Sequence, residues 1–432
     1  MIIIYRLFTF LLLPFILLTL LYRLKINKED RARISERLGK TKHLRPNGPI
    51  IWIHCASVGE SLSTLSLVNK IVADYQNIHV LITTGTITAA KILSKKIPER
   101  TIHQYVPIDL TIAVRRFLKF WKPSLALWIE SELWPNLVTE TQKTQAPMIL
   151  LNGRVSEKSY RIWKIFPNFI RKLLSSFEIC LGQSNAEEEK LKSLGAKNVT
   201  YAGNLKFGAK KLPLDEKQYQ SLKNDLKDRT IWLAASTHPH EEKIIGSIHS
   251  KLKLYFKNLL TIIVPRHPFR GKAISKALKK NGLNVSQRSK NDGIEKKTEI
   301  YLADTIGELA LFYKLSDVVF LGGSLKESAG GHNPLEPSHF LCAVVVGPGV
   351  KNFNEIFREF FANNAAVQIE SDEDLFKNTL VLLKNREKRE NVAMCAHKIA
   401  QGKSKILEET YLLLKPFLKK ANLQEDETIA NT

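Results

Sequence analysis

Residues 49–75 read PIIWIHCASVGESLSTLSLVNKIVADY, and this stretch decides the fold. The uninterrupted apolar run PIIWIH (49–54) reads as a buried strand. A short loop with Ser57 and Gly59 follows, and then Leu, Val and Ile return at helical spacing. A strand feeding a helix in this way is half of a βαβ unit, which implies a parallel sheet.

The same alternation continues on both sides of this unit. HVLITT (79–84), SLALWIE (124–130), PMILLN (147–152), EICLGQS (178–184) and VTYAGNL (199–205) read as further strands. A polar stretch interrupted by Pro213 reads as a linker, residues 213–229. A second series follows: TIWLAAS (230–236), LLTIIVPRH (259–267), EIYLAD (299–304), DVVFLGG (317–323) and CAVVVGP (342–348). The class is α/β, with Rossmann-like halves over 49–212 and 230–403, an amphipathic helix over 404–420 and a disordered polar tail over 421–432.

The N-terminus is of another kind. Residues 7–22, LFTFLLLPFILLTLLY, carry no charge. With Arg6 snorkelling, residues 1–25 are long enough to span ~30 Å of hydrocarbon. No cleavage site follows. Arg23, Lys25, Lys28, Arg31, Arg33 and Arg37 come instead, so residues 26–48 form a basic stem that holds the body in the cytosol. A helix lying in the interface is the alternative. The chain has 65 Lys+Arg against 42 Asp+Glu, a net +23, which points to an acidic partner. No nucleic-acid-binding module is visible, and the scattered Cys55, Cys180, Cys342 and Cys395 form no zinc or disulfide pattern.

Ligands of such sheets bind beyond the carboxyl ends of the strands. Ser57-x-x-Glu60 at the first junction fits a capping box, and a helix start favours an ionised Glu60, the state a general base needs. Thr305-x-x-Glu308 and Asn333-x-x-Glu336 repeat the pattern, the latter with Pro334 at the first helical position. Its loop, GGSLKESAGGHNPLEP (322–337), has two Gly pairs that suit close approach to a phosphate. Glu130 and Glu132 sit at a strand end, while Trp128, Trp134 and Phe117 read as core. Lys206, Arg266 and His267 are candidate anion ligands. His238 and His240 lack a third metal ligand, and Asp372-Glu373-Asp374 reads as helix-start charge. No GxxxxGK[ST] or GxGxxG loop is present.

The ordered strings HCASVGE, ESELWPN, LNGRVSEKS, GNLKF, STHPHEE, PRHPFR, DTIGEL, FLGGSL, GGHNPLEP and GPGVKNF resemble the 3-deoxy-D-manno-octulosonic acid (Kdo) transferases of lipopolysaccharide assembly. The resemblance runs from the N-terminus to about Lys420. It implies a GT-B architecture, two Rossmann-like domains facing a cleft, with a C-terminal helix crossing back. It implies CMP-Kdo as donor, a phosphorylated glycolipid (lipid IVA) as acceptor, inversion, the inner membrane as location, and neither metal nor cofactor. By motif, Glu60 would be the base, and Glu130 and Lys206 would stabilise the transition state. Arg266, His267, Ile306, Gly307, Glu308, Asn333, Pro334, Leu335 and Glu336 would hold the nucleotide. Gly153 replaces a residue bearing a β-carbon, and the Ser324–Gly330 loop is one residue longer than in the family. The rivals are a GT-B enzyme using another nucleotide sugar and a membrane-tethered nucleic-acid-binding protein.

Overall fold

The computed structural model describes residues 1–208, 212–326 and 330–423. It divides into two units, residues 1–209 with 403–432, and residues 210–402.

The first unit holds seven parallel strands: β1 (Ile50–His54), β2 (His79–Thr84), β3 (Thr101–Tyr105), β4 (Leu125–Ile129), β5 (Met148–Gly153), β6 (Ile179–Gly182) and β7 (Val199–Tyr201). Their order is β3-β2-β1-β4-β5-β6-β7. The winding therefore reverses between β1 and β4, the switch point at which doubly wound sheets bind ligands. Every residue of β1 and β4 is buried, as a central parallel strand covered on both faces requires. Trp52 and Trp128 are fully buried and meet edge-on at 4.8 Å. Phe117 is core as expected, but Trp134 is 47 % exposed and donates its indole N–H to Glu132 at 2.8 Å. Gly153 lies on β5, where a β-carbon would come within 2.9 Å of Leu191 Cδ1. Leu191 fills the space that a larger residue would need.

The second unit holds β8 (Thr230–Thr237), β9 (Leu259–Pro265), β10 (Val285–Gln287), β11 (Ile300–Leu302), β12 (Val318–Leu321), β13 (Ala343–Val346) and β14 (Ala366–Gln368). They are also parallel, in the order β10-β11-β9-β8-β12-β13-β14, with the switch point between β8 and β12. Residues 213–229 contain a helix, Glu216–Asp225, capped by Asp215 and burying Tyr219. Three apolar-poor strands, β3, β10 and β14, went unread in the sequence.

The expected C-terminal helix is the second half of one helix, Arg386–Leu423. Its Val392 and Ala393 join the core of the second unit, whereas Ile406, Leu407, Leu414 and Leu418 join that of the first. Tyr411 donates to Asp74 at 2.6 Å. Residues 421–423 are helical, and the rest of the expected tail lies outside the described residues. Ser371 caps the Asp372–Lys384 helix by accepting from Asp374 N, so the acidic triplet is helix-start charge.

The single spanning helix expected over residues 1–25 is not formed. Two helices, Ile2–Leu11 and Leu13–Lys25, bend by 58° at a break beside Pro14, and no single described helix is long and apolar enough to cross a membrane. Arg6 does not snorkel; it pairs with the buried Glu140. The stem is also less free than its charge suggests. Arg37 is buried against Glu29 at 3.0 Å, and Arg33 pairs with Glu36 at 2.9 Å.

Candidate functional site

In the first unit, the strand ends beside the switch point are acidic. Ser57, extended at φ −118°, accepts from Glu60 N at 3.3 Å, and Glu60 Oε2 reaches back to Ala56 N at 2.7 Å. The capping role read from the spacing is therefore real. It does not leave Glu60 with an ordinary acidity. Glu60 is only 8 % exposed, and burial raises its pKa against the pull of the Ala56 and Ser57 bonds, with the Glu132 charge adding to the rise.

Glu130 follows β4 directly, at a positive φ of 59° that a β-carbon-bearing residue rarely adopts. Its pKa is also raised, first by burial and then by the Glu60 charge, while Arg154 and Lys206 oppose the rise. Repulsion on Glu60 itself comes from Glu132 rather than Glu130. Lys206 is positioned by buried amides. Asn204 Oδ1 accepts from Lys206 N at 3.0 Å and from Asn152 Nδ2 at 3.2 Å, and Asn152 Oδ1 accepts from Leu205 N at 2.9 Å. Arg154, inside the LNGRVSEKS string, was not singled out in the sequence. Its role appears only when β5 is laid beside β4.

His54, at the end of β1, is 1 % exposed, and burial lowers its pKa to about 3, so it stays neutral. Thr83 Oγ1 accepts from the Trp52 indole at 2.9 Å and shares a hydrogen bond with His54 Nδ1 at 3.1 Å. The other ring nitrogen, Nε2, is buried without a partner.

The second switch point is built from cations and imidazoles. Arg266 and His267 end β9 with exposed side chains, and His267 stacks on Phe269 at 5.5 Å. Burial pushes Glu336 up to about 7, against the pull of Arg266. His332 is lowered to about 4 by burial, by Arg266 and by His238, whose Nε2 lies 3.2 Å from its own. Arg266, His238, His332 and Glu336 thus form one cluster. Sequence reading had named Arg266 and Glu336, had weighed His238 only as a metal ligand, and had missed His332. Among the described residues no group of three or more His, Cys, Asp or Glu is arranged to hold a metal.

Two carboxylates of STHPHEE shape this cluster. Glu241, 5 % exposed, accepts from the backbone N–H groups of His238 and Gly323 at 2.8 Å, Ser324 at 3.2 Å and Leu325 at 3.3 Å. The first Gly pair was expected to offer amides to a phosphate, but Glu241 accepts from Gly323 N and Ala235 O accepts from Gly322 N. Close approach still demands glycine, since a β-carbon at Gly323 would meet His238 Nε2 at 2.9 Å at a φ of +63°. Glu242 clamps Arg270 through bonds of 2.8 and 2.9 Å, which leaves Arg266 as the arginine of PRHPFR at the cluster.

The remaining expected nucleotide ligands are more dispersed. Ile306 is 85 % exposed and Gly307 has a φ of +91° with open space around it. Glu308 does not cap the helix after it; it pairs with Arg288 through Nε at 2.7 Å and takes the Thr305 hydroxyl, and these contacts lower its pKa, Arg288 first. Asn333 Oδ1 accepts from Leu335 N at 3.1 Å, so that amide is already used. Pro334 precedes the short helix Leu335–Ser338 by one position, and Leu335 is buried. The longer-loop difference falls on residues 327–329, outside the described residues.

Residues 32–209 match the family model described as 3-deoxy-D-manno-octulosonic-acid transferase (kdotransferase). A 3-deoxy-D-manno-octulosonic acid transferase from Rickettsia bellii is 37 % identical over 415 residues, covering 96 % of this chain and 99 % of that protein. The chain belongs to the Kdo transferase family. The Haemophilus influenzae Kdo transferase is 33 % identical over 90 % of this chain and 92 % of its own length. In fold, a glycosyltransferase from Rickettsia africae superposes with a TM-score of 0.51 at 12 % identity, over 87 % of this chain and 100 % of that one. The chain is thus a glycosyltransferase that transfers Kdo.

Proposed function

We propose that this Kdo transferase moves Kdo from CMP-Kdo to a hydroxyl of a phosphorylated, acylated glycolipid, lipid IVA, at the cytoplasmic face of the bacterial inner membrane, with inversion at the anomeric carbon. Glu60 takes the proton of the acceptor hydroxyl as its oxygen attacks the anomeric carbon. The bond to CMP breaks, and its electron pair leaves with the phosphate. The single observation that carries this reading is the raised pKa of the buried Glu60, since a base works best with a pKa near the operating pH. Glu130, Lys206 and Arg154 steady the charge that shifts during transfer. Arg266, with His267 and the exposed backbone of Ile306 and Gly307, neutralises the leaving phosphate with no metal required. Glu308, Asn333, Pro334, Leu335 and Glu336 shape the nucleoside end of that site. The basic excess suits an anionic leaflet and a phosphorylated acceptor.

The test is to incubate the purified enzyme with CMP-Kdo and lipid IVA and weigh the lipid product. Addition of one or more Kdo masses is expected. No addition, or equal addition from a uridine nucleotide sugar, overturns the assignment of donor.

A further inference from the structure

The N-terminal helix pair is bound to the folded body at both of its ends. Tyr5 donates to Asp109 at 2.9 Å, and Arg6 bonds to Asn136 at 3.3 Å and Thr139 at 3.1 Å besides its pair with Glu140. At the other end Arg23 bonds to Glu29 at 2.8 Å, and Glu29 is held by Arg37, which itself donates to Val106 O and Gly85 O. Residues 5 and 23 are 18 apart, so a straight helix would carry them ~27 Å from each other, close to the thickness of the hydrocarbon core. A crossing helix could not return both to the same unit. All of these partners belong to the first unit.

The pair has two faces. Ile3, Leu7, Leu11, Phe15, Leu18 and Leu21 are 60–73 % exposed, an outward apolar stripe too continuous for water. On the other face Tyr5, Thr9, Leu12, Ile16 and Leu20 line a cavity of about 540 Å³ whose far wall is Val106, Ile108 and Trp134. At its floor lie His54, Ala56 and Glu132. Ala56 is the residue whose N–H binds Glu60, so the cavity abuts the candidate base. Protein interiors are close-packed, and an unfilled apolar space of this size is the size of a ligand site. His54 in the lining adds a buried ring nitrogen, Nε2, that has no partner.

We propose that the helix pair lies in the plane of the membrane leaflet, outer stripe in the hydrocarbon, and that its inner face forms a slot for one acyl chain of the acceptor glycolipid. The occupant follows from three features. The slot presents mostly apolar surface, with Arg23, Glu29, Arg37 and Asp109 also in its lining, it opens beneath a surface that only lipid would cover, and it reaches the residue that binds the base that must meet the acceptor's sugar hydroxyl. A chain seated there carries its carbonyl at the His54 end, where Nε2 donates to it when the ring proton sits on that nitrogen. This inference rests on the glycolipid acceptor proposed above.

Ile16→Trp fills the slot, and Leu11→Asp alters only the outward stripe. The readout is the ratio of kcat/KM for lipid IVA in detergent micelles to kcat/KM for the same phosphorylated disaccharide stripped of its acyl chains. Ile16→Trp is expected to lower that ratio tenfold or more, while Leu11→Asp leaves it within twofold of wild type. A ratio unchanged by Ile16→Trp overturns the slot while leaving the acceptor assignment standing. A wild-type enzyme that uses neither acceptor overturns both. In sealed vesicles with the catalytic body outside, an N-terminal tag is expected to be cut by added protease; protection of the tag overturns the in-plane posture.

Discussion

The switch points of the two sheets carry opposite chemistry. In the first unit the ends of β1 and β4 lead into carboxylates, Glu60 and Glu130, and burial raises both. In the second unit the ends of β8, β9 and β12 lead into His238, Arg266 and a glycine-rich loop, and burial lowers His332 while raising Glu336. Both clusters use one device, a low-dielectric pocket that penalises charge. The outcome differs because the residues differ: the first pocket raises the pKa of its carboxylates, and the second keeps the His332 imidazole uncharged beside the Arg266 cation. In the proposed reaction the first site moves the proton and the second receives the phosphate.

The sharpest way to break this contrast is to remove the base. Glu60→Gln keeps a side-chain oxygen for the Ala56 N–H, and should lower kcat about 10²–10⁴-fold while CMP-Kdo affinity, measured by calorimetry, is unchanged. Arg266→Ala should do the reverse, weakening donor binding about 10–100-fold, as loss of a charge-assisted hydrogen bond does, with a smaller loss in kcat. If both variants fall in the same parameter, the two sites do not divide the work. Arg154→Met removes a charge that holds Glu130 down, so Glu130 should titrate higher. Transfer should then fall about fivefold near pH 6 and recover as the pH rises, measured as a shift in the acidic limb of the rate profile.

The smallest expected effect is on stability. Glu336 has a folded pKa of about 7, above its unfolded value, so its burial costs nothing where both states are protonated. The cost grows as the pH rises from the ordinary glutamate value toward 7 and is full above it. Glu336→Gln should therefore raise Tm at pH 8 and leave it unchanged at pH 4, as followed by calorimetry. A gain of equal size at both pH values would mean that ionisation is not the cause.

Much of the fold was legible because central parallel strands are continuous apolar runs. IIWIH, LALWI and AVVV announce themselves, and Ser57, Ser371 and Asn333 mark helix starts by their side chains. Thr101–Tyr105, Val285–Gln287 and Ala366–Gln368 did not, being edge strands, the last two only three residues long and all three with polar members. Of the site, Glu60, Glu130, Lys206 and Arg266 were legible as residues at strand ends. Arg154, Glu241 and His332 were not, because each acts on a residue distant in sequence and nothing in its own neighbourhood signals a partner. Glu308 misled for the opposite reason. Its spacing from Thr305 predicts a helix cap, yet Arg288, 20 residues earlier, offers its carboxylate a bidentate partner that a helix start cannot match. The N-terminal run misled through composition alone. Hydropathy reads an apolar stretch as one helix, whereas Pro14 and the pull of Glu140 on Arg6 make it two.

The central claim is that Glu60, whose pKa burial raises, is the group that accepts the proton. The most direct measurement is the pH dependence of kcat/KM for wild type and Glu60→Gln with the same donor and acceptor. Wild type should show an acidic limb whose midpoint lies above the ordinary glutamate value, and the residual rate of Glu60→Gln should lack that limb. An unaltered limb in Glu60→Gln, or full activity of that variant, would contradict the account and leave Glu60 as a helix cap.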